Sequence, residues 1–203
     1  MKWIFFIFIF FSTVLSYAQQ NNFPTKEFSI EVGLGYNQIH RHVINPDGPQ
    51  PLILGSTKRD LYYEAFKLTP SIRFSYEIQI NNTVYVSPFL EYSFMEGKSD
   101  DGFESPFSVH TLNLGLLPSY NYNNLQFAGG IRYNYFMEWT DKYAEDDFAS
   151  YSFDYGFRLS YKISDIIISA EGWHNISTLS SPEYENLYEW NYCRYNFLIG
   201  YRF

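Results

Sequence analysis

From residue 27 to the last residue, stretches in which apolar and polar side chains alternate with a period of two are separated by links without that alternation. Side chains on a strand point to opposite faces in turn, so each alternating stretch predicts a strand with one apolar and one polar face. The first, about 27–39, sets Phe28, Ile30, Val32, Leu34 and Tyr36 against Ser29, Glu31, Gly33, Gly35 and Asn37. The second, about 65–80, sets Phe66, Leu68, Ile72, Phe74, Tyr76, Ile78 and Ile80 against Lys67, Thr69, Ser71, Arg73, Ser75, Glu77 and Gln79. Pro70 lies on its apolar face, removes one ladder donor and marks a candidate bulge. Further strands follow at about 83–95, 107–120, 125–136, 150–162, 166–173 and 189–203, which makes eight.

The links differ in length. Those near 81, 122 and 164 are two to four residues, whereas 40–64, 96–106, 137–149 and 174–188 are eleven or more. Eight antiparallel strands joined by alternating short and long links predict an all-β, up-and-down barrel. An apolar face on every strand, turned outward to lipid, predicts that it is a transmembrane one, with short periplasmic turns and long extracellular loops. An even strand number then puts both termini on the periplasmic side. The competing arrangement is a soluble eight-stranded barrel of the lipocalin kind, apolar inside and polar outside. Such a barrel has no use for tyrosines at its strand ends.

Composition sharpens the choice. Phe, Tyr and Trp make up 22% of the chain, more than a soluble domain of this size would bury, and their natural place is against lipid. No stretch after the first residues reaches 18 continuous apolar residues, so no transmembrane helix is predicted there. A net charge of −8 argues against nucleic acid as a partner. One cysteine, Cys193, rules out an intrachain disulfide framework and is expected on the lipid face. Met1-Lys2, the apolar run Trp3 to Leu15 and Ser16-Tyr17-Ala18 have the layout of a cleavable secretory signal. That run is short of the roughly 20 residues a spanning helix needs. The expected division is therefore a signal peptide at 1–18 and a barrel domain at 19–203, with no lipoprotein cysteine after the apolar run.

An eight-stranded barrel is just wide enough for side chains to fill it. The inward set contains Glu31, Arg73, Glu77, Glu91, Arg132, Asp154, Arg158, Glu171 and Arg194, with both signs represented. Buried charges persist when paired, so a mixed network plugging the lumen is expected. Arg158 and Glu171 flank the tight turn at 164 symmetrically and are the expected cross-strand ion pair. Phe28, Val32, Phe74, Ile78, Leu114, Phe157 and Phe197 are expected to face lipid.

Catalytic candidates are sparse. His174 and Ser177, with Glu185 and Glu189 downstream, resemble the site of small barrel enzymes that remove acyl chains from lipid A. Those enzymes space His and Ser two apart. Here the spacing is three, and on a strand only even offsets share a face. The plainer reading is that Trp173 and His174 are interfacial aromatics. His40 and His42 share a face but lack a third ligand, so no metal site or cofactor is expected. Acidic residues gather at Glu96, Asp100, Asp101 and Glu104, and again at Glu138, Asp141, Glu145, Asp146 and Asp147. They fit solvated loops, or loops that share divalent cations with lipopolysaccharide phosphates or bind a basic partner.

The final strand, with Phe197, Ile199, Tyr201 and Phe203 on one face, resembles the sorting signal of bacterial outer-membrane barrels. The chain as a whole resembles small outer-membrane barrels of the OmpA-transmembrane or OmpX kind. Its Tyr, Phe, Asn and Ile richness is similar to β-barrel domain or PorT-like proteins of the Bacteroidota. The resemblance implies an integral outer-membrane protein in contact with lipid and lipopolysaccharide, inserted by the barrel-assembly machinery. It implies a non-enzymatic structural or interaction role through the long loops. The alternatives are a narrow passive channel and a lipid A-modifying esterase-type barrel.

Overall fold

A computed structural model describes residues 26–43, 61–64, 68–99, 107–139, 149–177 and 188–203. The expected signal peptide at 1–18 and most of the long links lie outside these residues. Among the described residues there are nine strands and no helix: β1 (Lys26–Val43), β2 (Leu61–Glu64), β3 (Thr69–Gln79), β4 (Val84–Ser99), β5 (Phe107–Tyr122), β6 (Leu125–Trp139), β7 (Tyr151–Ile163), β8 (Ile166–Asn175) and β9 (Tyr188–Arg202). Each pairs antiparallel with its neighbour, and β1 pairs with β9 from Ser29↔Arg202 to Val43↔Tyr188, which closes the sheet on itself.

The closed barrel has eight staves, one of them in two pieces. β2 pairs with both β1 (Gln38↔Glu64) and β4 (Glu64↔Lys98), the same two neighbours as β3, so β2 continues β3 beyond an interruption. The sequence pattern predicts one strand over 65–80; the structure describes this stave as Leu61–Glu64 and Thr69–Gln79, the first of which alternation leaves in a link, and positions 65–67 lie outside the described residues. Pro70, the candidate bulge, stands in register opposite Leu34. A proline at the start of a strand lets the ladder resume without a missing donor inside it.

The three short turns lie at one end. Asn81 caps the first, its Oδ1 accepting from the Thr83 and Val84 amides at 2.9 Å each. Asn123 (φ 54°) and Ser164 (φ 52°) supply the left-handed residues of the other two. The described chain ends meet at this same rim, where the Phe203 amide donates to Phe28 O at 2.8 Å and the Arg202 amide to Asp165 O at 2.8 Å. This rim is the turn end; the opposite rim is the loop end.

Alternation is visible in burial. Along β7 the pattern is strictly exposed, buried, exposed, buried from Tyr151 to Tyr161. The outer wall carries Phe28, Val32, Phe74, Phe157 and Phe197 among its exposed apolar side chains, with Phe157 at 71%. Leu114 is half-buried on the same side. Ile78 departs from expectation: it is 2% exposed, on the stretch where the β3–β4 ladder skips a step at Tyr76 and Glu77 before resuming at Ile78↔Val86. Cys193 is half-buried on the outer side, opposite His174.

Outer aromatics run the length of the wall: Phe28, Tyr120, Tyr122, Phe127, Tyr161, Tyr201 and Phe203 lie towards the turn end, Tyr92, Tyr133, Tyr135, Tyr151, Phe153 and Tyr155 towards the loop end, and Phe74, Phe157 and Phe197 in between. Aliphatic side chains stand opposite several of them, Leu114 against Tyr133, Ile131 against Tyr155, Leu159 against Phe127 and Ile168 against Tyr161. Many rings meet across strands, Tyr133 and Phe153 at 5.2 Å and Tyr155 over His174 at 5.6 Å. Such pairs contribute about 0.5–1.5 kcal/mol each beyond area burial.

Candidate functional site in the barrel lumen

Strand parity that sends apolar residues outward sends the charged ones in. Glu31, Arg73, Glu91, Arg132, Asp154, Arg158, Glu171 and Arg194 all lie inside and are at most 8% exposed. They comprise four cations and four anions, so the buried set is neutral. The charges are stacked in tiers from the turn end upward.

The lowest tier holds the partly exposed pairs Lys162–Glu77 at 2.6 Å and Arg202–Glu27 at 2.7 Å. They border a cavity of about 20 Å³ lined also by Ser29, Ser75 and Ser119, room for about one water. Above it, Arg158 donates from Nη2 to Glu31 Oε2 at 2.5 Å and to Ser169 Oγ at 2.8 Å, and from Nε to Ser160 Oγ at 2.9 Å.

Next comes the tightest cluster. The Arg73 guanidinium sits between two carboxylates, donating to both oxygens of Glu171 at 2.6 Å and to Glu91 Oε2 from Nε at 2.9 Å, with a second, shorter bond from Nη2. Asn113 Nδ2 donates to Glu91 Oε1 at 3.1 Å and Asn196 Nδ2 to Glu171 Oε1 at 2.7 Å. The Phe89 ring lies 4.4 Å below the guanidinium carbon. The two carboxylates share the Arg73 guanidinium, Arg132 Nη1 stands 3.8 Å from Glu91 Oε1, and each carboxylate is further hydrogen-bonded, the condition for ions to persist out of water.

The fourth tier centres on Arg132, whose Nε donates to Asp154 Oδ2 at 2.7 Å and Nη2 to Tyr192 OH at 3.1 Å. The Tyr192 hydroxyl donates in turn to Asp154 and accepts from Asn134 Nδ2 at 3.0 Å. Arg132 stacks on Trp173 at 4.6 Å. Arg194 donates to Asn196 Oδ1 and Ser93 Oγ, both at 2.7 Å, and has no carboxylate partner among the described residues. Met95, Val109 and Phe136, at most 4% exposed, form an apolar tier above.

Glycines make room for the larger members. A Cβ at Gly115 would collide with the Phe89 ring, one at Gly156 with Trp173, and one at Gly200 with Glu31. Phe89, Leu117, Ala128 and Trp173 form an apolar core inside the barrel. The lumen is packed, not open.

Two expectations are corrected. Arg158 and Glu171 are directly opposed across the β7–β8 ladder, at equal height as expected. They nevertheless bond elsewhere: Arg158 reaches Glu31 and Glu171 is taken by Arg73, 98 residues away. In a narrow lumen a side chain reaches across as easily as along the wall, and the fork of Arg73 offers Glu171 two parallel bonds. Trp173 is not interfacial. It points inward at 2% exposure, sharing parity with Glu171. That parity was available in the sequence, as was that of Phe89 with Glu91 and of Tyr192 with Arg194.

The catalytic candidates do not converge. His174 lies on the outer wall against Tyr155, its Nδ1 3.2 Å from Asn175 Oδ1. Ser177 lies beyond β8, its Oγ accepting from the Phe153 amide at 3.3 Å. Glu185 and most of the acidic loop positions fall outside the described residues, and the side chains of Glu189, His40 and His42 are likewise not described.

No protein-family model matches the sequence, and no curated protein does. Solved structures do. Ail, the attachment invasion locus protein of Yersinia pestis, crystallised with the heparin analogue sucrose octasulfate, matches at 16% identity, 88% of this chain, 99% of that one and TM-score 0.45. Neisserial surface protein A matches at 11% identity over 87% of this chain and 97% of that one, TM-score 0.49. The outer membrane protein AlkL, solved in lipid bilayers, matches at 11% identity over 88% and 89%, TM-score 0.45.

Proposed function

We propose that this chain is an integral outer-membrane β-barrel protein, closed to solutes and without catalytic activity, whose role is exercised through its loop end. The observation that carries the reading is the inversion of faces: aromatic and aliphatic side chains cover the outer wall while charge fills the lumen. Water favours the opposite arrangement, and hydrocarbon favours this one. The tyrosines towards both ends of the outer wall fit the two membrane interfaces, where amphipathic rings settle. The turn end is then periplasmic, and the loops face lipopolysaccharide.

The packed tiers speak against the passive-channel alternative. Purified barrel in planar lipid bilayers should give no openings at physiological salt. Steady single-channel currents from the unmodified chain would overturn the closed reading.

Biogenesis would use the barrel-assembly machinery. Phe203 is exposed at the β1–β9 seam, its ring 6.1 Å from Phe28 and 5.0 Å from Tyr201. In cells, Phe203→Ala should sharply reduce outer-membrane levels, while the same variant refolds in vitro into vesicles nearly as well as the parent. Normal cellular levels would refute the role of that ring in assembly.

A further inference from the structure

The seams of the barrel are unequal. Among the described residues, β4 and β5 pair without a break from Val84↔Tyr120 to Gly97↔Phe107. The ladders joining β6 to β7, β7 to β8, β8 to β9, β9 to β1 and β1 to β3 are likewise continuous. The two ladders that flank the β4–β5 pair are not. β3–β4 lacks its pairs between Ser75↔Phe89 and Ile78↔Val86. β5–β6 lacks those between Leu116↔Ile131 and Ser119↔Ala128, and shifts register between His110 and Thr111.

Each gap holds a proline, Pro88 in β4 and Pro118 in β5. Bonding alternates along an antiparallel strand, each residue serving one neighbour. The Asn121 amide donates to Thr83 O at 2.7 Å, which assigns the odd positions of β4 and β5 to each other. The Ile80 amide donates to Val84 O at 2.9 Å, which assigns the even positions of β4 to β3, and those of β5 then serve β6. Both prolines are even. The donors they lack would have met Tyr76 O on β3 and Gly129 O on β6. A proline removes a ladder bond, and hydrocarbon outside the wall offers no replacement. Both losses fall on the outer edges of one strand pair, at neighbouring heights, Pro88 opposite Leu116 and Pro118 opposite Val86.

Inside the lumen, the same pair is held at one charged point. Its inward positions, odd from Tyr85 to Met95 and from Val109 to Asn121, include a single charged residue, Glu91. Glu91 reaches both flanks. Arg73 on β3 donates to its Oε2 from Nε at 2.9 Å, and Arg132 Nη1 on β6 stands 3.8 Å from its Oε1. Bonds from Gln126 to Ser119 at 3.1 Å and from Arg194 to Ser93 at 2.7 Å add to the hold.

We propose that β4–β5 is a movable panel in an otherwise continuous six-stave wall, latched from within by Glu91. Its two seams open locally, ahead of the rest of the barrel, because elements joined by fewer bonds open first. The panel itself stays intact as they do. Ser87, Leu117 and Ser119 on the panel and Glu77 and Gln126 on its flanks line the cavity at the turn end, so parting of either seam widens that cavity. A closed, non-conducting ground state is compatible with a movable or a fixed panel, so this inference and the closed reading of the lumen stand or fall separately.

The test is amide hydrogen exchange, read by NMR on the full barrel in lipid nanodiscs. Opening at the seams leaves a signature that unfolding of the whole barrel does not. Along β4 the even amides of Leu90 and Tyr92, which serve β3, should exchange at least about tenfold faster than the odd amides of Phe89 and Glu91, which serve β5. β7, with two continuous seams, should show no such alternation. Pro88→Ala returns a donor to the β3–β4 seam and should slow its amides by up to about tenfold, the net worth of one hydrogen bond, without changing the β5–β6 seam. Pro118→Ala should do the reverse. Glu91→Gln should speed both seams and leave the amides between β4 and β5 as they were. Equal protection of even and odd amides along β4 in the parent would overturn the panel, as would proline variants that leave both seams unchanged. Exchange raised alike in every strand by Glu91→Gln would overturn the latch. The parent and the proline variants decide the panel even where Glu91→Gln does not refold.

Discussion

Arg73→Ala is expected to be the most damaging single substitution in the lumen. The side chain is fully buried and holds two carboxylates, Glu91 and Glu171, that are themselves 0% and 5% exposed. Its loss leaves two adjacent anions hydrogen-bonded by Asn113 and Asn196, with Arg132 Nη1, 3.8 Å from Glu91 Oε1, as the remaining cation. Breaking one buried pair costs about 3–5 kcal/mol, and here two are broken. Against a folded state worth about 5–15 kcal/mol in all, the variant should lose a large part of its stability in urea unfolding from lipid vesicles. Adding Glu171→Gln to Arg73→Ala should recover part of the loss, because one stranded charge goes. A double-mutant cycle should also give a larger coupling for Arg73 with Glu171 than for Arg158 with Glu171, although only the latter are ladder neighbours. Equal couplings, or an Arg73→Ala barrel as stable as the parent, would show that the clamp does not hold the plug together.

That comparison marks the boundary between what the sequence discloses and what it does not. Membership of the lumen was legible, because a period of two ties every side chain in a strand to one face: Arg73, Glu91, Arg132 and Glu171 were assigned inward by counting. Partner choice was not legible. The Arg73–Glu171 pair joins β3 to β8 across the lumen, and its geometry depends on the stagger of all the intervening staves. The split stave was hidden for a related reason. Alternation on one strand carries no record of which residues oppose it, and Leu61–Glu64 joins this stave only through its pairing with β1 and β4. Phe89 and Trp173 are a different case. Their parity points inward, but the expected inward set held only charged residues, and Trp173 was expected at the interface with His174. A packed lumen needs a few large rings to fill it, and glycines at 115 and 156 were the available sign of where.

Phe157→Arg is the second large effect, and it tests the environment of the outer wall. Phe157 lies at the centre of β7, its ladder neighbours Gly129 and Gly172 carry no side chain, and it is 71% exposed. Its ring lies over Gly129 and is otherwise open, so its surroundings decide the outcome. In a soluble barrel, arginine at so exposed a position would be nearly neutral. In a bilayer it meets hydrocarbon at mid-depth, where an arginine on the lipid face of a barrel costs about 2–4 kcal/mol. The cost should fall with depth: Tyr161→Arg, four residues nearer the turn end, should lose only about 0–1 kcal/mol, because the guanidinium can reach the headgroups. The measurement is urea unfolding of both variants in phosphatidylcholine vesicles, repeated in vesicles of longer acyl chain. Thicker bilayers should deepen the Tyr161→Arg penalty and leave that of Phe157→Arg nearly unchanged. Equal and small losses at both positions would place the outer wall in water and refute the membrane reading of this barrel.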